Sequence, residues 1–196
     1  MSKDRVVKIF YDLESTGLNE HKHSIHQIAG LVDINNEIVE KFDFKTRPHP
    51  KAQIEPGALS KCKVTEEQIL AYPSMQETHK AFTKLLSKYV DKFKTDERAW
   101  LIGFNNRFFD DRFITPWFTQ NGDTFIGSYF YFGLDVQVLA AHYLMARRHR
   151  MPSFKLKRVA LELGLEIDEN RLHDASYDVE LTYKIYRIVT GLDLEL

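Results

Sequence analysis

Apolar positions along this chain change period several times, and each change marks an element. Val6 to Tyr11 is an apolar, β-branched run that reads as a buried strand. Two more strands are expected near residues 26–34 and 37–45, and Asn35-Asn36 between them is a hairpin signal. Trp100 to Phe104 reads as a fourth strand. After it, Phe109, Asp110, Phe113, Ile114 and Trp117 recur at helical spacing, which predicts a helix from about Arg107. The stretch 125–145 looks apolar, but Gly127, Gly133, Asp135, Gln137 and His142 interrupt it, so it reads as strand then helix rather than a membrane span. A helix over Ser74–Phe93 would carry Lys80, Lys84, Lys88 and Lys92 at i, i+4 spacing on a solvated face. Val179, Thr182, Tyr186 and Val189, widened by Leu181, Ile185 and Ile188, predict a long helix over Ala175–Val189. Short connections early and alternating strands and helices later point to an α/β fold, a mixed sheet with helices on both faces.

Composition narrows this to one globular domain over residues 1–196, with 43% apolar and 13% aromatic residues. Cys62 is the single cysteine, which excludes an internal disulfide and fits a reducing, cytoplasmic setting. Lys3, Asp4 and Arg5 open directly into the first strand, so neither a signal peptide nor a membrane partner is expected. The net charge of −1 does not announce a nucleic-acid binder. It conceals a basic run, however: Arg147, Arg148, Arg150, Lys155, Lys157 and Arg158 lie together without an acid among them. Two readings of that run stand side by side, basic residues suiting a helix C-terminus and a phosphate-contacting rim.

The candidate chemistry is carried by acids. Side chains two apart on a strand share a face, so Asp12 and Glu14 aim two carboxylates at one spot, a seat suited to a hard divalent cation. Asp110 falls in an apolar stripe, where an unpaired carboxylate is costly, whereas Asp111 turns about 100° away and reads as a solvated acid. His173 precedes Asp178 by five residues; the two converge only if His173 sits on a loop before the helix, with Asp174 or Ser176 as cap. His21, His23 and His26 have no cysteine nearby and are expected on a loop leading into a strand, which argues against zinc.

Three segments, taken in order, carry a resemblance. They are Tyr11-Asp12-Leu13-Glu14-Ser15-Thr16-Gly17, then Gly103-Phe104-Asn105-Asn106 through Phe109-Asp110, then His173 through Asp178. Together they resemble the DEDDh (DnaQ-like) exonucleases, which include polymerase proofreading subunits, exonuclease I and RNase T. The second segment is most similar to the exonuclease I branch, although Asn105 stands where many members carry histidine. Gln27 to Asp33, Pro56 to Thr65 and Phe154 to Leu165 extend the likeness over nearly the whole chain.

The resemblance implies a ribonuclease H-like, five-stranded sheet and a 3′-5′ exonuclease. Asp12, Glu14, Asp110 and Asp178 would hold two divalent ions, Mg²⁺ or Mn²⁺, with His173 as general base. Glu14 and the segment Leu13, Ser15, Thr16 and Gly17 would hold the terminal nucleotide, Leu18 and Phe109 would wall its base, and Asn106, Arg148 and Lys155 are further candidate contacts. The expected partner is the 3′ end of single-stranded DNA, in a role such as DNA repair. RNA is the alternative substrate, and a non-catalytic nucleic-acid-binding module is the reading from another class. Monomer and homodimer both remain open. The tail from Gly191 to Leu196 faintly resembles a sliding-clamp peptide without its glutamine and terminal aromatic, so a frayed end is expected; the chain also stops where proofreading subunits continue, so a freestanding nuclease is expected over a tethered proofreader.

Overall fold

The β-branched run at the start of the chain becomes the middle of a five-stranded sheet. The structure is a computed structural model describing residues 5–192, so most of the clamp-like tail lies outside the described residues. The strands are β1 (Val7–Ser15), β2 (Ile25–Ile34), β3 (Glu37–Lys45), β4 (Ala99–Gly103) and β5 (Phe130–Asp135). Their order is β3-β2-β1-β4-β5. β1 pairs antiparallel with β2 and parallel with β4, and β5 continues the parallel side. Asn35 and Asn36, both with positive φ, make the tight β2–β3 turn that their sequence announced.

Between the strands lie α1 (Pro56–Cys62), α2 (Glu66–Leu70), α3 (Met75–Leu86), α4 (Asp110–Gln120), α5 (Val136–Tyr143), α6 (Leu156–Glu162) and α7 (Ala175–Val189). Ser74 opens α3 with a capping box to Glu77, and Thr65 does the same for α2 with Gln68. The helix expected to reach Phe93 ends at Leu86, so the lysine series is not one helical face. Lys88 instead pairs with Glu40 at 2.7 Å, and Lys92 lies over the Phe93 and Tyr129 rings.

Alternation along β1 divides the interior into two cores. Val7, Ile9, Tyr11 and Leu13 face α3 and α4, where Phe82, Phe113, Ile114, Trp117 and Phe118 pack against them. Phe10 faces the other way, into the cluster built by α5, α6 and α7 with Val136, Val159, Val179, Leu181 and Ile185. The ring of Phe10 meets Tyr183 and Tyr186 of α7 edge-on, each at 5.0 Å. At the far end of this column the buried Lys8 pairs with Asp33 at 3.0 Å, and Asp33 also accepts from the Tyr183 hydroxyl. That network satisfies two charges that would otherwise be costly inside the protein. Among the described residues, no helix is long and apolar enough to cross a membrane.

Candidate active site

The same alternation decides where the first two acids point. Asp12 and Glu14 follow Lys8 and Phe10 on the α7 side of β1. α7 runs back along that face, and Asp178 in its first turn meets them. One carboxylate oxygen from each of Asp12, Glu14 and Asp178 lies within 4.8 Å of the other two. Asp174 caps α7 by accepting the Ser176 N–H at 2.9 Å. His173 just precedes it with φ +63°, a left-handed residue on the loop, so the five-residue spacing to Asp178 does not turn the two apart.

Asp110 arrives from the opposite face of the sheet as the first residue of α4. It is only 3% exposed, and its Oδ1 accepts the backbone N–H of Leu13 at 3.1 Å. Leu13 lies between Asp12 and Glu14, so this one bond ties the second motif to the first. The helix begins at Asp110 rather than Arg107 because the chain first turns at Asn105, with φ +61°, and through a 3-10 turn over Asn106–Phe108. Asparagine tolerates the left-handed region, and the Asn105 N–H is held by Asp135 Oδ1 at 2.9 Å. Asp111 is not the solvated acid that its helical angle suggested. It accepts hydrogen bonds from the buried Tyr11 hydroxyl and from Asn106 Nδ2.

These carboxylates sit uneasily together without a cation. Burial, then repulsion from Asp110, Glu14 and Asp178, holds the Asp12 carboxyl well above the usual range. Burial also raises Asp110, against the opposing Leu13 N–H. Glu14 and Asp178 are each pushed up to about 7, chiefly by burial. None of the four is ion-paired among the described residues, and Asp178 Oδ1 is buried without a hydrogen-bond partner. A hard divalent cation fits this donor set and would remove the repulsion. His173 is pushed below its ordinary value by burial and by the nearby Lys61 and Lys63, which keeps its ring neutral near pH 7.

The acids open into a cleft of about 460 Å³ lined also by Leu13, Ser15, Gly17, Leu18, Phe104, Asn105, Phe109 and His173. Leu18 stands 73% exposed beside it. Five predicted substrate contacts therefore do line the cleft: Leu13, Ser15, Gly17, Leu18 and Phe109. Thr16, Asn106, Arg148 and Lys155 do not. Thr16 and Asn106 are fully buried braces, Thr16 donating to the Gln53 carbonyl and Asn106 to Asp111. Much of the basic run is spent elsewhere, because Arg147, Arg150 and Arg158 converge on Glu162 at 3.5, 2.8 and 3.2 Å. Arg148 donates to the Met151 carbonyl, and Lys157 pairs with Glu169.

The opposite wall comes from α1, which residue patterns alone did not single out. Ala58, Lys61 and Cys62 line the cleft, and their i, i+3, i+4 spacing puts them on one face of a short helix. Cys62 Sγ donates to Glu14 Oε2 at 2.9 Å. Glu55, which lines the same wall, pairs with His23 at 3.1 Å. The three early histidines do not converge. His23 packs under Gly17, His26 is buried in β2 with its pKa driven down to about 4 by burial, and His21 is exposed. Gly17 is thus required for close approach rather than for a left-handed turn, since its added Cβ would stand 2.6 Å from the His23 ring.

Comparison with known proteins agrees with this geometry. Residues 9–186 match the RNase T exonuclease family. The chain belongs to it. Escherichia coli exonuclease I, in a zinc-bound complex with single-stranded DNA, superposes with a TM-score of 0.79 at 21% identity, over 95% of this chain and 41% of that one. The same enzyme in complex with a dT13 oligonucleotide gives 0.76 at 20% identity, over 94% and 41%. A PolC-type DNA polymerase III from Mycoplasmopsis pulmonis (strain UAB CTIP) is 22% identical over 178 residues, 91% of this chain but 11% of the polymerase. This exonuclease-family chain therefore spans well under half the length of either relative.

Proposed function

We propose that this protein is a metal-dependent 3′-5′ exonuclease that hydrolyses single-stranded DNA from its 3′ end to 5′-mononucleotides. The observation that carries the reading is the convergence of Asp12, Glu14 and Asp178 within 4.8 Å, with Asp110 and His173 facing the same cleft. Asp12, Glu14 and Asp178 would hold one divalent ion, with Asp12 shared with a second and Asp110 completing the set; Mg²⁺ or Mn²⁺ suits these oxygen donors. Bound ions supply Lewis-acid stabilisation of the phosphoryl oxygens and of the attacking and leaving groups.

The chain's own residues do the rest. His173, held neutral, takes the proton of the attacking water. Leu13, Ser15 and Gly17, at and just beyond the end of β1, seat the terminal nucleotide, and Leu18 and Phe109 wall its base, since stacking or wedging serves any base. The preference for DNA is supported by the likeness of the second motif and of the fold to exonuclease I, whose solved complexes contain single-stranded DNA.

The test follows 5′-labelled DNA and RNA oligonucleotides of one sequence, with Mg²⁺ or Mn²⁺, beside Asp12→Ala. A metal-dependent ladder shortening from the 3′ end of DNA, absent in the mutant, is expected. Faster cleavage of RNA would reassign the substrate. No cleavage of either, with binding retained, would overturn the enzymatic reading in favour of a binding module.

A further inference from the structure

The cleft is acidic, yet its substrate is a polyanion, and the basic run that the sequence offered to resolve this lies elsewhere. Among the residues lining the cleft, Lys61 is the one lysine or arginine, facing Asp12, Glu14, Glu55, Asp110 and Asp178. It makes no hydrogen bond or ion pair among the described residues, in contrast to its neighbours.

Those neighbours locate it from two sides. Cys62, the next residue, is held against Glu14 by its thiol. Lys63, one further on, ends α1 in the left-handed region with φ +55° and donates its ammonium to the Asn170 carbonyl, three residues before His173. The end of α1 is thereby fastened at one point to a metal-binding carboxylate and at another to the His173 loop. Lys61 lies on the cleft side between the two, close enough for its charge to act on His173.

We infer that Lys61 is a substrate-binding residue, whose ammonium holds a phosphate of the nucleic-acid backbone on the His173 side of the carboxylates. A compact, strongly hydrated cation on a flexible stem suits a phosphate oxygen that moves as the strand is shortened. Its position also explains why so acidic a cleft accepts an anion. Ions at the carboxylates would neutralise the floor, and Lys61 adds one fixed charge on the wall opposite β1. As a backbone contact it carries no base information and weakens all sequences alike when lost. The inference rests on the nuclease reading above.

The experiment measures steady-state cleavage of a 5′-labelled oligodeoxynucleotide by wild type, Lys61→Ala, Lys61→Gln and Lys61→Arg over a salt series at constant excess Mn²⁺. Thermal melts report whether each variant is folded. The neutral variants are expected to raise KM about tenfold, as for one lost charge-assisted hydrogen bond, with kcat changed far less. The slope of log(kcat/KM) against log[salt] should flatten by about 0.7, the share of one phosphate contact on a single strand. Lys61→Arg should restore the slope. An active wild type with neutral variants of unchanged KM and slope would overturn the role of Lys61 alone. A wild type that shortens no strand would overturn the nuclease reading and this inference with it.

Discussion

The thiol of Cys62 donates to Glu14 Oε2 across 2.9 Å, so the only cysteine of the chain touches a carboxylate of the acidic cluster. One oxygen of Glu14 is thereby oriented from α1. Cys62→Ala leaves that oxygen without its donor and is expected to weaken divalent-ion affinity about tenfold, as loss of an outer partner of a ligand does. Titration of activity with Mn²⁺ reads it. Burial and the adjacent Glu14 also raise the thiol, so little thiolate is present at neutral pH. Alkylation by iodoacetamide near pH 8 should run at least about tenfold slower than that of a free thiol. A rate equal to that of glutathione would contradict the contact.

Stability without metal should fall as pH rises through the range in which the clustered acids ionise. Burial raises Glu14 from 4.5 and Asp178 from 3.8, both to about 7. The folded state therefore binds more protons than the unfolded chain between about pH 4 and 7, and the stability these groups contribute is lost by pH 7 to 8. Divalent ions bind the ionised form, so the rise in Tm on adding Mn²⁺ should be larger at about pH 8 than at about pH 5. Comparing the two melts at each pH cancels the opposite contribution of the depressed His26. An equal metal-induced rise at both pH values would count against the cluster as the binding site.

Asp178→Asn should lower kcat/KM by at least about 10³-fold, or ~4 kcal/mol of transition-state stabilisation. The same change removes one buried, repelling charge. In metal-free buffer near pH 8 the variant should melt several degrees above wild type, by roughly 2–4 °C per kcal/mol. This opposition of activity and stability distinguishes a ligand from a residue that merely supports the fold.

Gly17→Ala tests the close approach at the end of β1. Its methyl group would stand 2.6 to 2.7 Å from three ring atoms of the buried His23, which is itself held by Glu55 and Asn19. Because that ring has little room to retreat, a loss of ~1–3 kcal/mol is expected, read as a lower Tm. KM should rise as well, since Leu18 and Glu55 both line the cleft beside this packing. A melt equal to wild type would mean that the loop and ring shift freely.

Much of the site was legible from residue patterns because its acids sit on regular elements. A period of two along β1 aims Asp12 and Glu14 together, and an acid in an apolar helical stripe marks Asp110. What escaped were contacts between elements. Nothing in the spacing of Tyr11 and Asp111, one hundred positions apart, announces their hydrogen bond, so helical angle alone sent Asp111 to solvent. The basic run left two readings open for a related reason, since Arg147, Arg150 and Arg158 converge on Glu162 only once the chain has folded. The α1 wall escaped because a seven-residue helix gives too short a period for its face to be read.

The bond from Leu13 N–H to Asp110 Oδ1, and the docking of Asp178 from α7, also bear on when the acidic site is assembled. Its acids span residues 12 to 178, and the elements that carry them meet only after β1 has acquired partners on both edges and α7 has closed over it. Such long-range closures come late in folding. A chain still emerging from the ribosome has its first two acids before the last is made, so the acidic cluster exists only once α7 has docked. Half-made copies are thus kept from assembling the cluster by topology alone.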